Sequence, residues 1–233
     1  MTHFAAHAAP RWMTPLLHSI DDGSLHRTLD KALPPGIGPD PTKQSAVLMH
    51  LCGNPTTSTL PDDAAVLLTH RSPRMRKHSG QVAFPGGRVD ATDRHHLDAA
   101  LREAWEETGL QRNTITPIAQ LGQVHIRVTG YPVTPILAYS EEPQEVHIAS
   151  PAEVDDVFYF PLNELANPTN RLLVHRGQWR GPAFKVHDYL VWGFTAGVLH
   201  AVLQHAGWEI PWDRRTHYDL SEMIALSRNN EQH

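Results

Sequence analysis

The sequence predicts an α/β sandwich. Three observations point to it. Short apolar runs, among them Ser45–Leu51 and Ala64–His70, recur along the chain and read as strands. Two longer segments, His96–Thr108 and Val191–His205, place apolar residues at helical spacing. Glycine and proline punctuate the intervals between them.

In chain order, residues 12–31 suit one or two short helices. Ala32 to Thr42 holds the run Pro-Pro-Gly-Ile-Gly-Pro-Asp-Pro and reads as a linker or extended arm. The strands Ser45–Leu51 and Ala64–His70 follow, then a loop over Arg71–Ser79 and a short strand Gly80–Phe84 ending at Pro85. Asp90–His96 is a polar loop. In the helix His96–Thr108, Leu97, Leu101, Ala104 and Thr108 form an apolar side with Trp105 flanking it, and Gly109 is a natural stop. Strands are expected over Thr116–Ile126, Tyr131–Tyr139 and Val157–Phe160, the last broken by Pro161. Leu162–Ala166 suits a helical turn. Leu172–His175 and Phe184–Leu190 read as a hairpin around Gly177 and Gly181. In Val191–His205, Val191, Phe194, Val198, Ala201 and Val202 mark one helix face. The expected organisation is an N-terminal extension with its proline-rich arm (1–43), one domain (44–210) and a C-terminal tail (211–233).

Composition narrows the class. The chain has 233 residues, 19% of them charged and 40% hydrophobic, which suits a soluble globular protein. No apolar run approaches the length of a membrane helix. A formal charge of −5 gives no general attraction to nucleic acid. The single cysteine, Cys52, rules out an intrachain disulfide and favours a reducing compartment. The first residues lack a secretory apolar core, so a cytoplasmic location is expected. The 17 histidines form no dedicated metal constellation, although His3 and His7 stand at i, i+4, and they read as surface residues.

Two stretches carry chemistry. In Arg102-Glu103-Ala104-Trp105-Glu106-Glu107-Thr108-Gly109-Leu110, three carboxylates stand at i, i+3 and i+4, which share one helix face. They repel each other by roughly 0.2–0.5 kcal/mol per pair. The negative end of the helix dipole adds to that repulsion. A divalent cation would relieve it, and clustered carboxylates are hard oxygen ligands of the kind that Mg²⁺ or Mn²⁺ accepts. Upstream, between Asp63 and Asp90, there is no acidic residue, while Arg71, Arg74, Arg76, Lys77 and Arg88 are basic. A local positive segment in an acidic chain suits an anionic ligand, and arginine forks pair with phosphate oxygens.

The run from Gly86 to Leu110 resembles the Nudix box: Gly, five residues, Glu, seven residues, then Arg-Glu-aliphatic-x-Glu-Glu-x-Gly-aliphatic. The second half fits at Arg102–Leu110. The first half departs: six residues on from Gly87 stands Asp93, and the matching position counted back from Arg102 is Arg94. The segment LLTHRSPRMRKHSGQVAFPGG, Leu67 to Gly87, resembles the signature of the coenzyme A pyrophosphatase branch of the Nudix hydrolases. It matches at Leu67, Leu68, Thr69, Arg71, Ser72, Arg76, Gly80, Phe84, Pro85, Gly86 and Gly87. The resemblance implies the Nudix fold, a mixed β-sheet between α-helices. It implies hydrolysis of the diphosphate of coenzyme A or a derivative to a 4′-phosphopantetheine species and adenosine 3′,5′-bisphosphate. It further implies Mg²⁺ or Mn²⁺ on Glu103, Glu106 and Glu107, with Arg102 orienting them and the Gly86 and Gly87 carbonyls near the metal. Arg71, Arg76 and Lys77 would hold substrate phosphates. The general base is left open between a box glutamate and the loop residues Glu141, Glu142 and Glu153. Two rival functions are a Nudix hydrolase for another nucleotide and a non-catalytic module that senses one. A homodimer remains open.

Overall fold

The computed structural model describes residues 2–32, 44–75, 78–125 and 131–231. The expected proline-rich arm over Ala32–Thr42 lies, beyond its first residue, outside them. The larger sheet is built from β1 (Ser45–Cys52), β2 (Ala65–Arg71), β3 (Val82–Ala83), β4 (Gly86–Arg88), β5 (Thr116–Gln120), β6 (Val124–His125), β7 (Pro132–Ser140) and β8 (Val154–Pro161). Its spine runs β3-β2-β1-β7-β5, with β4 on β1, β6 on β7 and β8 on β2. β1 and β7 are parallel, from Ser45 beside Val133 to Cys52 beside Ser140, and the other pairs are antiparallel. The sheet is therefore mixed.

Period-two alternation gives this sheet two buried faces. Ala46, Leu48, Leu67, Ile136 and Ala138 face Ala99, Ala100, Leu101 and Ala104 of helix α3, which spans His96–Thr108. Three alanines let that helix come close. On the opposite face, Met49, Leu51, Val66 and Leu68 pack in one cluster with residues of three helices. These are α1 (Thr14–Asp21), α2 (Ser24–Ala32) and α5, which spans Gly193–His205, with helix α4 (Leu162–Ala166) beside them. Trp12, Leu16, Ile20 and Leu29 belong to this cluster, so the N-terminal helices share the main core.

A second sheet, ordered β11-β10-β9-β12, joins β9 (Arg171–Arg176), β10 (Trp179–Val186), β11 (Tyr189–Val191) and β12 (His217–Asp219). Helix α6 (Leu220–Ala225) follows, and its Leu220 and Ile224 pack on Leu172, Val174 and Leu190. β12 and α6 lie beyond the last element that the sequence predicts.

Several boundaries differ from expectation for local reasons. The strand expected over Gly80–Phe84 shrinks to β3, while Gly86–Arg88 forms β4. A Cβ at Gly86 would run into the Ala46 carbonyl and the Val47 Cα, so only glycine fits that ladder. The run Thr116–Ile126 divides into β5 and β6, and Ile126 lies outside the described residues. Pro161 ends β8 without breaking it, because among the described residues β8 pairs with β2 alone and needs no second ladder. The second hairpin turns at Gly177 (φ 59), but Gly181 lies inside β10 under the Trp179 ring. Trp105 is 54% exposed rather than packed beside the apolar face.

Candidate active site

Helix α3 starts at His95, whose ring nitrogen Nδ1 accepts the Asp98 N–H at 3.2 Å. It ends at Gly109 in the left-handed region (φ 70). The segment after β7 then covers its C-terminus: His147 N–H donates to the Thr108 carbonyl (2.9 Å) and Ala149 N–H to the Glu107 carbonyl (3.1 Å). These bonds satisfy carbonyls that a helix end otherwise leaves open. They also carry Glu153 toward the helix.

Arg102 sits at the centre of a carboxylate ring. Its Nε and Nη2 donate to the two Asp93 oxygens, at 3.2 and 2.9 Å. Its Nη1 donates to Glu103 (2.9 Å) and Glu106 (3.2 Å), and Nη2 also reaches the Arg88 carbonyl (2.9 Å). The bond from Arg102 holds the Asp93 carboxyl below the usual range. Glu103 is pushed the other way, raised by burial and opposed by Arg102. Gly87 makes room for it, since a Cβ there would run into the Glu103 carboxylate.

Glu107 departs from the shared solvent-facing side that its spacing predicts. It is 1% exposed. Gly86 N–H donates to its Oε2 (3.1 Å) and Arg71 Nη1 to its Oε1 (3.3 Å). Burial pushes its carboxyl up to about 7, against the pull of Arg71 and the Gly86 N–H. Glu153 adds negative potential at both Glu103 and Glu107. Arg71 keeps a buried Nε with no hydrogen-bond partner among the described residues, an orphaned donor beside a carboxylate cluster.

Glu103, Glu106, Glu107, Arg102, Gly86, Gly87 and Arg71 thus gather at one end of α3. Arg76 and Lys77 lie outside the described residues. Glu141 and Glu142 follow the far end of β7, where Ser140 pairs with Cys52; Gly86 pairs with Val47. Five residues of strand, roughly 17 Å at 3.3 Å each, separate the two ends. Among the described residues, no three His, Cys, Asp or Glu side chains already converge as a ligand cage. Arg102 and Arg71 hold the carboxylate oxygens instead. Sequence reasoning missed the Asp93–Arg102 fork, because loop shape decides where Asp93 points. It had no means of choosing Glu153 among the loop carboxylates.

Comparison with known proteins gives the family. The NUDIX domain family matches residues 54–182. A protein of Klebsiella pneumoniae subsp. pneumoniae named "Uncharacterized Nudix hydrolase NudL" is 39% identical over 173 residues, covering 71% of this chain and 83% of its own. A protein of the same name from Escherichia coli (strain SMS-3-5 / SECEC) is 37% identical over 177 residues, with the same coverage. The solved Nudix hydrolase RenU of M. Smegmatis shares the fold at a TM-score of 0.50 and 19% identity, over 74% of this chain and 91% of that one. With its mixed sheet between helices, its box glutamates at the end of α3 and relatives at this identity, the chain belongs to the Nudix hydrolase family.

Proposed function

We propose that this protein hydrolyses the diphosphate bond of coenzyme A or a derivative, with Mg²⁺ or Mn²⁺, to a 4′-phosphopantetheine species and adenosine 3′,5′-bisphosphate. The observation that carries the reading is the joining of two motifs in space: Arg71, from the Leu67–Gly87 signature, donates to Glu107 of the box helix. Phosphate-binding and cation-binding residue types therefore meet at one place.

The donor set fits a hard cation. Glu107 is a buried carboxylate held near neutrality by its surroundings, Glu103 is raised as well, and both feel Glu153. Burial disfavours the charge on both, and a bound cation would restore it beyond what Arg71 and Arg102 supply. Glu103, Glu106 and Glu107 would hold the ion, with the Gly86 or Gly87 carbonyl beside them. When bound, a divalent cation neutralises diphosphate oxygens and makes water a better nucleophile. Arg102 keeps Glu103 and Glu106 oriented and does not touch substrate. Arg71, Arg76 and Lys77 bind the phosphates. Of the loop carboxylates we assign the proton-accepting role to Glu153, whose charge reaches both Glu103 and Glu107. Water adds to one phosphorus, its proton passes to Glu153, and the P–O bond to the other phosphate breaks.

The test is turnover of free, oxidised and acylated coenzyme A, dinucleoside diphosphates and nucleoside triphosphates in Mg²⁺ and in Mn²⁺, with products identified by mass. Adenosine 3′,5′-bisphosphate from the coenzyme A panel is expected. Turnover confined to other nucleotides would overturn the substrate, and tight binding without turnover would favour a sensing module.

A further inference from the structure

The C-terminal residues 228–231 are built into the fold at the stem of the basic loop. Asn229 is completely buried. Its side chain pairs with the backbone of Leu190 in both senses: Leu190 N–H donates to Oδ1 and Nδ2 donates to the Leu190 carbonyl, both at 2.9 Å. The same Nδ2 donates to Glu231 (2.8 Å), which also accepts from Trp192 Nε1 (2.7 Å). Arg228 N–H donates to the Asp188 carbonyl (2.8 Å). The Asn229 carbonyl accepts from His70 Nε2 at 3.1 Å. His70 in turn stacks on Tyr189, ring centroids 4.4 Å apart, and its Nδ1 lies 2.5 Å from Asp155.

The residue after His70 is Arg71. The pairing of β2 with β8 slips register between these two residues and resumes with Arg71 beside Val154, where Ser72 N–H donates to the Glu153 carbonyl at 2.8 Å. What closes the loop is local: Arg71 N–H donates to the Gln81 carbonyl and Gly80 N–H to the Arg71 carbonyl, each at 2.9 Å. Gly80 holds a left-handed φ of 72, and a Cβ on it would run into the Asn229 carbonyl oxygen. Asn229 thus touches the loop stem from two sides, through His70 and over Gly80.

We propose that residues 228–231 form a clasp that positions Arg71, with Asn229 as its positioning residue. This rests on the reading of Arg71 as a phosphate-binding residue. The clasp adds to the other holds on this stem, the Ser72 N–H bond to the Glu153 carbonyl (2.8 Å) and the Arg71 side-chain bond to Glu107, by fixing the side of the stem that faces β11.

The experiment joins amide exchange and kinetics on the full chain. Asn229→Ala should speed exchange at the Arg71 and Gly80 amides. It should raise KM for coenzyme A about tenfold, the size of one lost charged hydrogen bond, and leave kcat within about twofold. In an Arg71→Ala background it should have no further effect on kcat/KM, because both changes act through one side chain. Ile20→Ala, buried in α1, serves as a control of comparable thermal destabilisation and should reproduce none of these changes. If Asn229→Ala folds poorly, Glu231→Ala, which removes the acceptor of the Asn229 Nδ2 and leaves Asn229 in place, allows the same comparison. Unchanged exchange at Arg71 and Gly80 overturns the clasp, whatever the substrate. Multiplying effects of the two substitutions overturn its action through Arg71. If Arg71→Ala alone leaves turnover intact, or coenzyme A is not cleaved, the functional reading fails instead and the exchange result still judges the clasp.

Discussion

Asp93 and Arg102 form a two-bond fork, 3.2 and 2.9 Å, with the Asp93 side chain 5% exposed. Asp93 also accepts the Asp90 N–H at 2.8 Å, so one carboxylate closes the loop before α3 and fixes the guanidinium that Glu103 and Glu106 share. Asp93→Asn should cost about 1.5–3 kcal/mol, the range for a charged hydrogen bond. It should weaken Mn²⁺ binding indirectly, since Arg102 would then be free to draw Glu103 and Glu106 toward itself. Thermal melts and metal titration check this. Unchanged values in both would mean that the fork contributes nothing.

Glu107→Gln should lower turnover by orders of magnitude while metal-free stability holds or rises, because an expensive buried carboxylate is removed. The pH dependence follows from its raised pKa. Between the unfolded value near 4.5 and the folded value of about 7, the folded protein binds the extra proton. Its contribution is therefore complete below 4.5 and is lost as pH rises through 7. The metal-free variant should lose this falling component of its melting temperature. A large drop in metal-free stability would instead make Glu107 a structural residue.

The choice of Glu153 over Glu141 and Glu142 is separable by kinetics. Glu153→Gln should lower kcat with little change in KM, and raising the pH should recover part of the loss as hydroxide replaces the base. Glu141→Gln and Glu142→Gln, at the far end of β7, should leave kcat within about twofold. Equal effects from all three would remove Glu153 from the site.

Arg71→Ala should lower kcat/KM for coenzyme A by roughly ten- to a hundredfold. Added salt should weaken the wild type more than the variant. Comparing coenzyme A with dephospho-coenzyme A locates the contact. A pyrophosphate ligand affects both substrates, and a 3′-phosphate ligand affects only the first.

Acid stability should fall through two histidines, the buried His50 and the half-buried His200. Burial pushes His50 down to about 3 and His200 down to about 4. Around His50 the bonds run one way. Gln144 N–H donates to the Tyr159 oxygen, Tyr159 O–H to His50 Nδ1, His50 Nε2–H to Ser140, and Ser140 O–H to the Glu142 carbonyl. Within this run of bonds, a second proton on His50 meets no free acceptor among the described residues. Below the unfolded pKa of 6.5 the unfolded state takes up protons that the folded state refuses. Stability is therefore complete above 6.5 and falls by up to about 1.4 kcal/mol per pH unit per histidine as the pH drops. His50→Gln should flatten the melting temperature between pH 6.5 and 4.5, and an unaltered slope would exclude His50 as its source.

The α/β class, α3 and its carboxylate face were legible in the sequence because they rest on short-range rules. Helical spacing sets which side chains share a face, a glycine ends the helix, and Arg102 through Leu110 is contiguous. The family resemblance was legible for the same reason: its motif residues lie within the single stretch 67–110. Tertiary structure decided what depends on distant partners. Glu106 and Glu107 are neighbours in sequence, yet Glu107 alone is buried, because Gly86 and Arg71 arrive from other strands to receive it. Nothing local distinguishes Glu153 from Glu141; the bonds from His147 and Ala149 to the end of α3 do. Asn229 reads as one polar residue in a polar tail, and becomes a buried partner of Leu190 and His70 only once the two sheets bring β11 and His70 to either side of it. Burial and long-range pairing are properties of the packed chain, and a single residue's chemistry does not encode its distant neighbours.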